Sequence, residues 1–170
     1  MNDPIQIARL LPPINRKLQN DFGYTINLDG LDEYRDILSD LLDLDLEALL
    51  NAAKETMIWR SYLVDATGLL DIAIGKYQNV LDIYEYLDSV SIKDPDEFAL
   101  AAPKYKIDSR NLPVAIKEVQ AKKEEVVRFV KAIKMLRSDL DSVANYMLAM
   151  HYRCSALIIS SDRRMSNAAL

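Results

Sequence analysis

Residues 113–165, PVAIKEVQAKKEEVVRFVKAIKMLRSDLDSVANYMLAMHYRCSALIISSDRRM, run for more than fifty positions without an internal glycine or proline. Apolar side chains recur in this stretch at Val126, Val130, Ile133, Leu136, Leu140, Val143, Met147, Met150, Cys154 and Leu157. The steps of three and four form a heptad seam with one three-residue stammer near Leu136. A helix over this span would be roughly 80 Å long at 1.5 Å per residue. A compact core cannot enclose a helix of that length, so the seam requires an equally long partner.

Residues 46–90 supply one. Trp59, Leu63, Ala66, Leu70, Ala73, Tyr77, Val80, Tyr84 and Leu87 repeat in regular heptad steps, on a helix of roughly 67 Å. The fold class predicted is all-α, a long antiparallel helical hairpin of coiled-coil type with short helices N-terminal to it. A second apolar set, Ile58, Tyr62, Leu69, Ile72, Ile83 and Val90, lies off the seam of the first long helix. It implies another helix or a second subunit, and Ile58, Tyr62, Leu69, Ile72 and Ile83 are read as an oligomer interface. Gly68 and Gly75 lower helix propensity there and are read as points of close helix approach.

The remaining segments are placed around this pair. Residues 1–30 read as an irregular arm with a short amphipathic piece at Ile5, Ile7, Leu10 and Leu11, stopped by Pro12-Pro13. The arm packs on, or is swapped between, neighbouring subunits, or else is disordered. Residues 31–170 form a single helical domain. Asp29 caps a short helix bearing Leu31, Tyr34, Leu38, Leu41 and Leu42, and Asp43 or Asp45 caps the first long helix. The acids Asp36, Asp40, Asp43, Asp45 and Glu47 read as helix-start residues, not as a metal site. In the connector, residues 91–112, Asp94-Pro95-Asp96-Glu97 starts a short helix that ends at Pro103. The second long helix occupies 113–165.

Composition narrows the function. Of the 170 residues, 50% are apolar, so the chain is not a disordered tail. No signal pattern or apolar run of transmembrane length is visible, which predicts a soluble, cytoplasmic protein with no membrane partner. The single cysteine, Cys154, excludes an intrachain disulfide and fits a reducing compartment. His151 lies three residues before it, a spacing that suits a nucleophile pair or half a metal site, but Cys154 falls on the seam and reads as a core thiol. Phosphate loops and metalloprotease, CxxC or nucleophile-elbow patterns are all missing, so no enzyme, cofactor or metal is predicted.

Charge is distributed unevenly. Residues 1–99 carry 8 Lys/Arg against 19 Asp/Glu, a net of −11, whereas residues 100–170 carry 13 against 7, a net of +6. This asymmetry points to a polyanion or an acidic partner for one half only. On a helical wheel Lys117, Lys123, Arg128, Lys131 and Lys134 fall within roughly 140°, opposite Val126, Val130 and Ile133. With Lys104, Lys106 and Arg110 at one end and Tyr105 beside them, the stripe suits a single nucleic-acid strand. The competing reading is a solvated coiled-coil flank with Glu–Lys pairs, and Glu124 interrupts the stripe.

The segment Ala52-Ala53-Lys54-Glu55-Thr56-Met57-Ile58-Trp59-Arg60-Ser61-Tyr62-Leu63 and the run from Leu70 to Tyr86 resemble the first long helix of the UvsY-like recombination mediators of tailed phages. Lys123-Glu124-Glu125-Val126-Val127, Asp139-Leu140-Asp141-Ser142 and Arg153-Cys154-Ser155-Ala156-Leu157 are similar to patterns in the second. The resemblance covers residues 46–90 and 120–163. That family ends its first helix with basic residues and a Tyr-Tyr-x-Gly turn, where this chain has the acidic Tyr84-Glu85-Tyr86-Leu87-Asp88. The departure leaves residues 117–137 as the DNA-contacting candidates. The resemblance implies a non-enzymatic mediator that binds single-stranded DNA, helps displace a single-strand-binding protein and loads a recombinase, assembled as a ring in the host cytoplasm. The alternative is a structural or adaptor coiled coil, a phage assembly or host-inhibiting protein without nucleic acid.

Overall fold

The computed structural model describes residues 4–31, 45–105 and 111–168, with side chains of the last helix described as far as Ser161. The described residues form four α-helices and no strand: α1 (Pro4–Phe22), α2 (Leu46–Lys93), α3 (Pro95–Ala101) and α4 (Leu112–Ala168), with a 3-10 turn at Ala102–Tyr105 between the last two. The long helices α2 and α4, 48 and 57 residues, pack together. Residues 32–42 of the expected helix and the acids Asp36, Asp40 and Asp43 lie outside the described residues. Two compact units divide the chain: Met1–Leu10, Asn27–Ala66 and Ala132–Leu170 make the first, and Leu11–Ile26 and Thr67–Lys131 the second.

In the first unit, low numbers on α2 meet high numbers on α4, so the helices are antiparallel. Thr56 Oγ1 donates to the Ala52 carbonyl at 2.7 Å and lies 3.9 Å from Met147 Sδ, and Arg60 pairs with Asp141. Ala52, Ala53 and Leu49 pack on Met147, with Val143, Leu148 and Met150 around them. The back-bond from Thr56 satisfies a hydroxyl that would otherwise be costly in this apolar contact. Asp45 Oδ1 accepts from the Ala48 N–H at 2.8 Å, capping α2 as anticipated. His151 Nδ1 sits 2.9 Å from the Leu46 carbonyl, at the first residue of α2.

The α4 seam does not stay buried to Leu157. Met147 is fully buried, whereas Leu157, Ile158 and Ile159 are 66%, 51% and 53% exposed. The reason is length: α2 begins at Leu46, opposite His151, and the heptad pattern of α4 continues past the start of its partner.

The second unit holds α1 from Leu11 onward, and the first unit its residues up to Leu10. The arm read as irregular is a 19-residue helix that runs through Pro12 and Pro13. Each interior proline removes a backbone donor and costs about 3 kcal/mol. Both prolines are exposed, so their rings lie on the solvent side of α1. Ile7, Leu11, Ile14 and Leu18 are buried on the opposite side of α1, in steps of four, three and four. Burial of each stabilises by roughly 1.5–3 kcal/mol, enough to offset two prolines. Gly23, at φ +77°, ends the helix with its N–H on the Gln19 carbonyl at 3.1 Å, a left-handed stop that a side chain resists. The chain then returns along α1, where the Asn15 amide donates to the Ile26 carbonyl at 2.7 Å and accepts from its N–H at 2.8 Å.

The connector follows its sequence signals closely. Asp94 caps α3 by accepting from the Glu97 N–H at 3.1 Å, with Pro95 in the first turn. The helix gives way to the 3-10 turn at Ala102, just before Pro103. Glu97 does not complete a capping box. Its carboxylate instead accepts from the Tyr86 hydroxyl at 2.6 Å, which ties α3 to the end of α2.

Two readings of α2 are corrected. Val90, counted with the surplus apolar set, is buried; Ile58, Tyr62, Leu69 and Ile72 are exposed and Ile83 is partly buried. Gly68 and Gly75 do not mark a close approach within the chain, because a Cβ at either would have nothing within 4 Å. Gly68→Ala and Gly75→Ala should therefore each raise monomer stability, by up to about 1 kcal/mol, as the helix-propensity difference reports. A fall in the chemical denaturation midpoint for both would show that something packs against those glycines in solution.

Candidate nucleic-acid interface

The second unit sorts the basic residues of α4 by what they face. Lys122 Nζ contacts both Asp21 carboxylate oxygens, at 2.8 and 3.0 Å, and Glu125 pairs with Lys17 of α1. Lys123 donates to the Gln78 side chain of α2. These three positions of α4 are turned towards the other helices. Lys117, Arg128 and Lys131 are exposed on another side of the helix, spanning about 21 Å along its axis. Arg128 Nε reaches back to the Glu124 carbonyl at 3.4 Å, leaving the rest of its guanidinium outward. Gln120 donates to the Glu124 carboxylate at 2.9 Å, along the same helix.

The stripe read from the wheel is thus divided. Lys123 belongs to the packed edge, and Lys117, Arg128 and Lys131 form the open face. Lys104 and Tyr105 are exposed in the 3-10 turn. Lys134 is exposed and belongs to the first unit. Lys106 and Arg110 lie outside the described residues. The wheel weighed all these lysines alike, since a helix seen alone does not reveal that Gln78 of α2 reaches the flank bearing Lys123.

Unforeseen in the sequence is the cluster that joins α1 to α2 in this unit. Tyr77, read only as a seam residue, is buried and donates its hydroxyl to Asp21 at 2.7 Å. Burial first, then the Asp21 hydrogen bond and charge, push the Tyr77 phenol far above its ordinary range, so it stays neutral and donating. Partial burial alone would raise the Asp21 carboxyl. The hydrogen bonds from Lys122 and Tyr77 and the charges of Lys122 and Lys17 together outweigh it and hold the group below the usual carboxylate range. Phe22 packs tilted on Tyr77 with ring centres 4.8 Å apart and stacks with Tyr24 at 6.2 Å, while Lys76 lies over both rings. Spacing alone held no signal for this contact, since residues 21 and 77 come from segments far apart in the chain.

A pH dependence follows. Because the Asp21 pKa is lower folded than unfolded, its contribution to stability is complete above the ordinary carboxylate range. That contribution is lost as pH falls towards the lowered folded value. Asp21→Asn should reduce stability at neutral pH and flatten the stability profile through the acid range, measured by urea denaturation at a series of pH values. An unaltered acid slope would remove Asp21 as its source.

No metal-binding group of three or more His, Cys, Asp or Glu occurs among the described residues. His151 faces the Leu46 carbonyl, which only accepts, so its Nδ1 carries the proton and the ring is engaged with backbone, with Cys154 partly buried nearby in sequence. No helix among the described residues is long and apolar enough to cross a membrane. The class these observations define is an all-α protein built on two long packed helices with a basic face on the second. Comparison with protein-family models, curated proteins and solved structures finds no match for the chain.

Proposed function

We propose that this protein is a non-enzymatic recombination mediator that binds single-stranded DNA and helps load a recombinase in place of a single-strand-binding protein. The observation that supports DNA binding is the exposed set Lys117, Arg128 and Lys131, kept apart from the lysines that pair with α1 and α2. Cations on one helical face neutralise successive phosphates without reading bases, which suits a strand of any sequence. The mediator role rests on the likeness of residues 46–90 and 120–163 to the UvsY-like proteins. In this reading the acidic first 99 residues repel DNA or receive the recombinase. Ile58, Tyr62, Leu69 and Ile72, exposed on α2, join copies into an oligomer, a ring in that family, in the host cytoplasm.

A structural coiled-coil oligomer without nucleic acid is the second reading, favoured by those same exposed apolar side chains. A mobility shift with a short single-stranded oligonucleotide at low and moderate salt separates the two. Salt-sensitive binding is expected. Assembly in light scattering with no shift at either salt would favour the structural oligomer.

A further inference from the structure

We propose that the Phe22–Tyr24 ring pair beneath Lys76 is a stacking platform for an unpaired nucleobase. This inference rests on the single-strand reading and adds a second contact, on the α1 side of the second unit. The rings are 6.2 Å apart and inclined by only 21°, and both are partly exposed. Each is held from beneath or beside: Phe22 by Tyr77, and Tyr24 by its hydroxyl, which donates to the Leu69 carbonyl at 2.9 Å. Two rings at near-parallel inclination at a helix end suit a stacking surface, because each is already held by a neighbour before binding.

Lys76 supplies the electrostatic half. Its ammonium lies 5.0 Å from the Phe22 centroid and 5.6 Å from that of Tyr24, on an exposed residue. A cation over an exposed ring is held weakly, and a base on an aromatic face is held more strongly, so a base displaces it. The displaced ammonium remains within reach of the phosphate attached to that base. Lys122 and Lys17 do not share this role, since both are paired with carboxylates. Phosphate neutralisation by Lys117, Arg128 and Lys131 is indifferent to bases, whereas the platform makes binding depend on them.

The test compares oligothymidylate with an abasic oligomer of equal length and phosphate number, by fluorescence anisotropy of end-labelled strands. The intact chain is expected to prefer the base-bearing strand about tenfold or more. Phe22→Leu and Tyr24→Leu, checked for helicity by circular dichroism, should each lose most of that preference and leave abasic affinity unchanged. Equal affinity of the intact chain for both strands overturns the platform and leaves the basic face standing. A preference that survives both substitutions, or a loss equal on both strands, overturns it as well. Binding of neither strand removes the single-strand reading and the platform together.

Discussion

Lys117→Ala, Arg128→Ala and Lys131→Ala combined should weaken binding of a single-stranded oligonucleotide on the order of 100-fold at about 0.1 M salt and flatten its salt dependence. Each phosphate contact to a single strand contributes about 0.7 to the slope of log affinity against log salt, so three lost contacts reduce it by about 2. All three side chains are exposed, and none anchors α1 or α2, so thermal stability should stay within about 0.5 kcal/mol of the parent. Lys123→Ala is the internal control. Its ammonium faces Gln78, and its removal should change affinity little. Titrations at four or five salt concentrations would settle both. An unchanged slope in the triple variant would retire the basic face, and a larger effect from Lys123 alone would relocate it.

Leu140→Ala should destabilise the protein by about 2–5 kcal/mol, the range for a large-to-small change at a packed site. Leu140 is fully buried, at a heptad position of α4 that faces the core of the first unit. Leu157→Ala, on the same predicted seam, should cost less than about 0.5 kcal/mol because its side chain is 66% exposed. The contrast isolates burial from pattern, since both substitutions remove the same atoms from a helix. Urea denaturation of the two variants is the measurement. Comparable losses would mean that Leu157 is covered in solution, for which another copy of the chain is the natural candidate.

Legibility followed the range of the interaction involved. The Asp45 cap, the Asp94-Pro95 start and the stop before Pro103 were readable because each is settled within about four residues. The core positions Leu63, Leu70, Leu136 and Leu140 were readable because heptad spacing is itself the record of a helix facing a helix. Pro12-Pro13 misled for the opposite reason. Local chemistry opposes a helix there, and the burial of Leu11, Ile14 and Leu18 that overrides it depends on residues remote in the chain. The candidate interface was half visible: basic residues and their shared side could be listed, but not that Lys122 and Lys123 would be drawn to Asp21 and Gln78.

Periodicity, caps and charge bias are properties of a chain with its neighbours along one dimension, and from them came two long helices, their pairing and the surplus of cations on the second. Which cations remain outward, where the seam stops being covered, and that Phe22, Tyr24, Tyr77 and Asp21 share one cluster came from contacts between remote segments. Such contacts are selected by the sum of burial over α1, α2 and α4 at once. No window of residues contains that sum, and the three-dimensional arrangement alone expresses it.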